Sequence, residues 1–145
     1  MPMHTDMPTV LLVEDSDEDA DTVATAFARS GVHATLHRVA SGDACIARLK
    51  EARQAPTLVI MDLNTPGMDG RQALCFIKSD PLLKTIPVVI SSTSSSSRDR
   101  NFCYRAGANA YHVKSVRYPD HLQAVESLLR YWLVQVSLSE PGSAA

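Results

Sequence analysis

The sequence predicts an α/β fold in which five strands alternate with five helices and helices cover both faces of the sheet. Four short runs, Thr9–Val13, Leu58–Met61, Val88–Ser91 and Ala110–Val113, are nearly continuous in apolar residues, and a weaker fifth spans His33–Val39. Continuous runs fit strands buried on both faces of a parallel sheet; a sheet with one wet face would alternate instead. The stretches between them carry apolar residues at helical steps. A strand–helix order repeated five times implies right-handed crossovers.

The first helix is marked by Ala20, Val23, Ala24, Phe27 and Ala28 and ends at Ser30-Gly31. The second holds Cys45, Ile46 and Leu49 behind an N-cap at Ser41. The third follows Gly70, carries Ala73, Leu74 and Ile77, and stops at Asp80-Pro81. The fourth spans Arg98–Ala106, with Gly107 as the C-cap. The fifth is the clearest. Pro119 suits its first turn, and Leu122, Val125, Leu128, Leu129, Trp132, Leu133 and Val136 follow at steps of one, three or four. The serine run Ser91–Ser97, broken by Thr93, predicts a loop into the fourth helix, because serines favour caps over helix interiors.

The 145 residues, 45 % of them apolar, suffice for one domain with one core. Fourteen Lys and Arg against 16 Asp and Glu leave a net charge of −2, which gives no electrostatic case for nucleic acid or a membrane surface. No apolar run approaches the roughly 18 residues that span a bilayer. The start, MPMHTDMP, lacks the basic and apolar regions of a secretory signal. Cys45, Cys75 and Cys103 match neither a disulfide framework nor a zinc pattern, so the expectation is a reduced, cytoplasmic protein with buried thiols. None of the five histidines has metal-ligand spacing, and strand alternation points His112 away from the strand ends.

Ligands of open α/β sheets bind beyond the carboxyl ends of the strands. There the first strand ends in Glu14-Asp15, the third in Asp62, the fourth in Ser91-Ser92-Thr93 and the fifth in Lys114. Three carboxylates at one edge would repel and raise one another's pKa. A hard divalent cation such as magnesium relieves this, since it takes a few carboxylates together with waters and a phosphate oxygen. Three acids, one ammonium and one such cation sum to neutrality. That describes a carboxylate nucleophile prepared for phosphoryl transfer. Singly, each residue has a plainer reading: a solvated strand end, a turn residue in DLNTPG, a surface lysine.

The segments VLLVEDSDED, LVIMDLNTPGMDG, IPVVISSTS and NAYHVKS resemble the receiver domain of two-component response regulators, over about Val10 to Leu133. The resemblance implies a doubly wound, flavodoxin-like sheet of five parallel strands in the order 2-1-3-4-5. The receiver would span residues 8–136, between a tail at 1–7 and a C-terminal extension at 137–145. It also implies residue roles. Asp62 matches the phosphoacceptor and Lys114 the phosphate-pairing lysine. Glu14 and Asp15 match the acidic pair that holds Mg2+ together with Asp62, with Asp15 the more direct ligand, and Asn64 lends its backbone carbonyl. Ser92 matches the switch hydroxyl, Tyr111 the aromatic switch, and Gly70 the glycine that opens the third helix. Two positions depart from the pattern. Thr93 is bulkier than the small residue usual there, and Lys114 is followed by Ser115 rather than by proline, which leaves the isomer of that bond open.

The resemblance implies a phosphoryl group taken from a sensor histidine kinase. Lys-Ser together with RYWLVQVSL narrows it to the stand-alone regulators paired with bacterial phytochrome kinases. An aspartate-nucleophile phosphatase is the competing class, but it needs an acid two residues after the nucleophile. Here that residue is Asn64, which cannot transfer a proton. A switch is therefore expected rather than an enzyme. Tyr131, Val134 and Leu138 lie off the inward stripe of the last helix. They predict a homodimer through that helix and the adjoining fourth-helix and fifth-strand face, a contact that would also order the polar tail to Ala145.

Overall fold

The computed structural model describes residues 7–139. The chain runs β1 (Thr9–Val13), α1 (Asp17–Ser30), β2 (Thr35–Val39), α2 (Gly42–Glu51), β3 (Leu58–Met61), α3 (Gly70–Ser79), β4 (Val88–Ser92), α4 (Ser97–Ala106), β5 (Ala110–Val113) and α5 (Tyr118–Arg130). A π-helical turn, Tyr131–Gln135, extends α5. All strand pairs are parallel and the order is β2-β1-β3-β4-β5, as the resemblance implied.

Strand alternation sorts the core into two layers. Val10, Leu12, Leu58, Ile60 and Val89 point to one face, where Ala20, Val23 and Ala26 of α1 meet Leu122, Val125 and Leu129 of α5. Leu11, Val13, Val59, Met61, Val88 and Ile90 point to the other, against α2, α3 and Cys103 of α4. Apart from Thr9 and the terminal Ser91 and Ser92, the central strands are apolar at every position because both faces are dry. β5 lies at the sheet edge, and Val113 there is 39 % exposed.

The helix ends are set by local chemistry. The Ser41 hydroxyl accepts the Ala44 N–H at 3.1 Å. Gly31 and Gly107 close α1 and α4 at φ of 71° and 108°, a region where a side chain is strained. Asp69 and Gln72 form a reciprocal capping box at the start of α3. At Gly70 itself the constraint is space: a Cβ would collide with the carbonyl oxygen of Asp62. The β3–α3 loop is thereby pressed against the strand end that carries Asp62.

Three expectations are corrected. The weak second strand starts at Thr35 rather than His33. Tyr131 to Gln135 forms the wider π turn instead of continuing the α-helix. Of the three cysteines, Cys45 and Cys103 are buried, and burial pushes their thiols up to about 12 and about 11; Cys75 is exposed. The Lys114–Ser115 bond, left open by the sequence, is trans. His112 does point away from the strand ends, stacking on His121 of α5 with ring centroids 5.9 Å apart. Among the described residues no helix is long and apolar enough to cross a membrane. The expected ordering of the tail to Ala145 concerns residues 140–145, outside the described residues, as does most of the tail at 1–7.

Candidate functional site

The sheet ladder continues one residue past three strands and so fixes the backbones of the residues that follow. Glu14 donates its N–H to Val39 at 2.9 Å, Asp62 to Val13 at 2.9 Å, and Lys114 to Ser92 at 2.7 Å. All three lie at the carboxyl edge around the β1–β3 switch point, where α/β sheets hold ligands.

The Lys114 ammonium stands at the centre. It donates to Glu14 Oε1 at 2.8 Å, Asp19 Oδ2 at 2.8 Å and Asp62 Oδ2 at 3.2 Å, and its side chain is 6 % exposed. Burial alone would lower its pKa. The hydrogen bonds it donates to Asp19 and Glu14 and the charges of Glu14 and Asp62 outweigh that, so Lys114 stays protonated. Glu14 is driven the other way by burial, up to about 7, with Lys114 opposing the rise and the Asp62 charge adding to it. Between the ordinary value of 4.5 and about 7, the folded chain therefore holds a proton that the unfolded chain has lost. Glu14's contribution to stability falls as pH rises through that window.

The second oxygen of Asp62, Oδ1, accepts the Asn64 N–H at 3.1 Å. Both carboxylate oxygens thus have one donor, and the side chain is 12 % exposed. Ser92 is fully buried at the end of β4, and its Oγ accepts the Ser94 N–H at 3.1 Å. Tyr111 on β5 is half-buried and donates its hydroxyl to the Ser94 carbonyl at 2.9 Å.

Glu14, Asp62 and Lys114 are therefore brought together as the sequence led us to expect. Asp15 is exposed and stands outside the converging group, and Asn64 contributes its backbone at the rim. Asp19 was missed. Glu14, Asp19 and Asp62 each offer a carboxylate oxygen within 4.8 Å of the others, a set of hard donors able to hold a divalent cation. The signal for Asp19 was positional: it follows the N-cap Ser16 by three residues, and side chains in a first helical turn lean back toward the strand end that precedes it.

The chain belongs to the response regulator receiver domain family, whose model matches residues 10–126. Members of this family are phosphoryl-accepting switches of two-component signalling. Among curated relatives it is similar to the probable methanogenesis regulatory protein FilR2 of Methanothrix harundinacea, 35 % identical over 86 % of this chain and 83 % of that one. It is similar also to the response regulator Rcp1 of Synechocystis, 35 % identical over 89 % of this chain and 91 % of that one. Among solved structures, the phosphorylated cyanobacterial phytochrome response regulator RcpA superposes with a TM-score of 0.89 at 34 % identity, covering 93 % of this chain and all of that one. The Mn2+-bound form of Rcp1 gives 0.86 at 34 % identity over 91 % and 99 %.

Proposed function

We propose that Asp62 is the phosphoacceptor of a single-domain response regulator, loaded by a sensor histidine kinase. The observation that carries this is the pairing of the Asp62 carboxylate with a buried, protonated lysine at the carboxyl edge of the sheet. In the transfer, an Asp62 oxygen forms a bond to phosphorus, the bond from phosphorus to the donor's imidazole nitrogen breaks, and the imidazole leaves with the electron pair. Lys114 then neutralises a phosphoryl oxygen. The Ser92 hydroxyl, its acceptor side engaged by Ser94, donates its proton to another. Asn64 holds no proton for a leaving group, which supports a stored phosphoryl over rapid turnover.

Mg2+ is the proposed cation, held by Asp15, Asp62, Glu14 and the Asn64 carbonyl. When bound it supplies charge neutralisation for the incoming phosphoryl group. Asp15 is exposed and makes no side-chain hydrogen bond among the described residues, so it is free to turn toward a cation. Asp19, like Glu14 and Asp62, is held by Lys114.

A phytochrome is the proposed kinase, supported by the similarity to RcpA. A cytoplasmic location belongs to the same reading, supported by three free cysteines. The receiver is taken as residues 8–136. Signal would leave through a homodimer along the last helix, for which Tyr131 and Val134, 49 % and 67 % exposed, are the anchors. Phe102 of α4 and Val113 of β5 are exposed apolar residues of the adjoining elements.

Three outcomes follow from this reading. Asp62→Asn abolishes uptake of hydroxylamine-labile phosphate from a phosphorylated kinase, whereas labelling as full as wild type would remove Asp62 from the role. Asp15→Ala weakens Mg2+ binding about tenfold or more in a titration, with the circular dichroism spectrum unchanged; an unaltered titration contradicts Asp15 as a ligand. Tyr131→Ala with Val134→Ala shifts the light-scattering mass from two chains toward one. Wild type that is monomeric at tens of micromolar, phosphorylated or not, contradicts the dimer.

A further inference from the structure

Ser94, in the middle of the serine-rich loop between β4 and α4, has all three of its polar groups engaged, each by a different part of the molecule. Its N–H donates to Ser92 Oγ at 3.1 Å. Its carbonyl accepts the Tyr111 hydroxyl at 2.9 Å. Its own hydroxyl donates to Asp99 Oδ2 at 2.7 Å. The first two bonds reach the hydroxyls that the resemblance marks as switch groups. The third anchors the loop to the first turn of α4.

Asp99 is in turn held from outside the loop. Its other oxygen, Oδ1, accepts Arg71 Nη2 at 2.9 Å, and the two side chains are 25 % and 30 % exposed. Arg71 is the second residue of α3 and also touches the helix cap Asp69 at 3.4 Å. The Arg71 and Ser94 hydrogen bonds together hold the Asp99 carboxyl below its usual range. The anchor therefore runs from α3, which Gly70 presses against Asp62, across to α4 and back to the loop.

We propose that Asp99, clamped by Arg71, is a positioning residue for the phosphoryl site: it fixes Ser94 and, through Ser94, the hydroxyls of Ser92 and Tyr111. A hydroxyl has one proton to donate and two lone pairs to accept with. With the Ser94 N–H on a lone pair of Ser92, the Ser92 proton is left for a phosphoryl oxygen. If Ser94 drifts, Ser92 loses that orientation and Tyr111 loses the carbonyl that holds it inward. One carboxylate thus sets two groups that it does not touch.

The test uses the full-length protein and compares Asp99→Ala, Ser94→Ala, their double variant, Asp99→Asn, and the swap Arg71→Asp with Asp99→Arg. The first readout is the ring resonance of Tyr111 in 13C-tyrosine-labelled protein without phosphoryl donor, assigned with Tyr111→Phe. The second is the rate of phosphoryl uptake from acetyl phosphate. Asp99→Ala and Ser94→Ala should each shift the Tyr111 resonance toward that of a solvent-exposed tyrosine and slow uptake about three- to tenfold, the worth of one hydrogen bond. The double variant should be no slower than either single one, because all break the same bond. Asp99→Asn keeps an acceptor for Ser94 and should stay within about twofold of wild type. The swap should recover the thermal midpoint lost in Asp99→Ala without recovering the rate, since an arginine at 99 accepts nothing from Ser94. The proposal is overturned if folded Asp99→Ala or Ser94→Ala leaves the Tyr111 resonance and the rate at wild-type values. It is overturned equally if the charge swap restores the rate along with the midpoint. Only the kinetic readout rests on Asp62 as the phosphoacceptor; if wild type takes up no phosphoryl group, that reading fails while the resonance still decides the role of Asp99.

Discussion

The ammonium of Lys114 sits within hydrogen-bond distance of three carboxylates, from β1, α1 and β3, and its own side chain is almost wholly buried. Removing a charge from water costs several kcal/mol, and a single partner seldom offsets it. Three partners do so here, but they carry one negative charge each and repel one another. The cluster is left with an excess of two negative charges, which a divalent cation would cancel and a proton on one acid halves; Glu14, pushed up to about 7, is the acid that takes the proton. This same imbalance makes the site receptive to a divalent cation. An incoming phosphoryl group then meets a neutralised pocket instead of bare carboxylates.

The rest of the fold keeps these groups converged. Alternation along β1, β3 and β4 fills two apolar layers and leaves the carboxyl ends of those strands for chemistry. The ladder runs one residue beyond β3 and β5, so Asp62 and Lys114 inherit the rigidity of the sheet. Gly70 lets α3 approach the Asp62 carbonyl closer than any side chain would allow. A trans bond after Lys114 is compatible with all three of its contacts, so a residue other than proline at 115 does not withdraw the lysine from the acids.

Much of this was legible in the sequence, for physical reasons. β1 and β3 were read to the residue because strands buried on both faces are apolar almost throughout, and β5, at the sheet edge, because its short run is bounded by Asn109 and Lys114. β2, at the sheet edge with two of its five residues exposed and none fully buried, gave a weak signal and a start two residues too early. Glu14, Asp62 and Lys114 were legible because each directly follows a strand. Asp19 was not, because it reaches the site from a helical turn and looks like one more acid in a solvated first turn. The Arg71–Asp99–Ser94 chain was hidden as well: it joins residues 28 positions apart, and nothing in the spacing distinguishes its serine from the five others in the run. Cys75 shows the converse failure, since a thiol among apolar helix positions reads as buried until the helix is placed on the sheet.

The central claim is that one buried ammonium holds the acids together, and the stability of Lys114→Met as a function of pH tests it most directly. Without the lysine the acids must take up a proton or a cation. At pH 8 the metal-free variant should be less stable than wild type by about 3–5 kcal/mol in urea unfolding, the usual cost of stranding buried charge. Lys114 lowers the Glu14 pKa, so the folded variant takes up this proton at a higher pH than wild type does, and the deficit should be smaller at pH 5, where both hold it, than at pH 8. Millimolar Mg2+ at pH 8 should stabilise the variant more than wild type. A deficit that is the same at pH 5 and pH 8, or no deficit at all, would contradict the account.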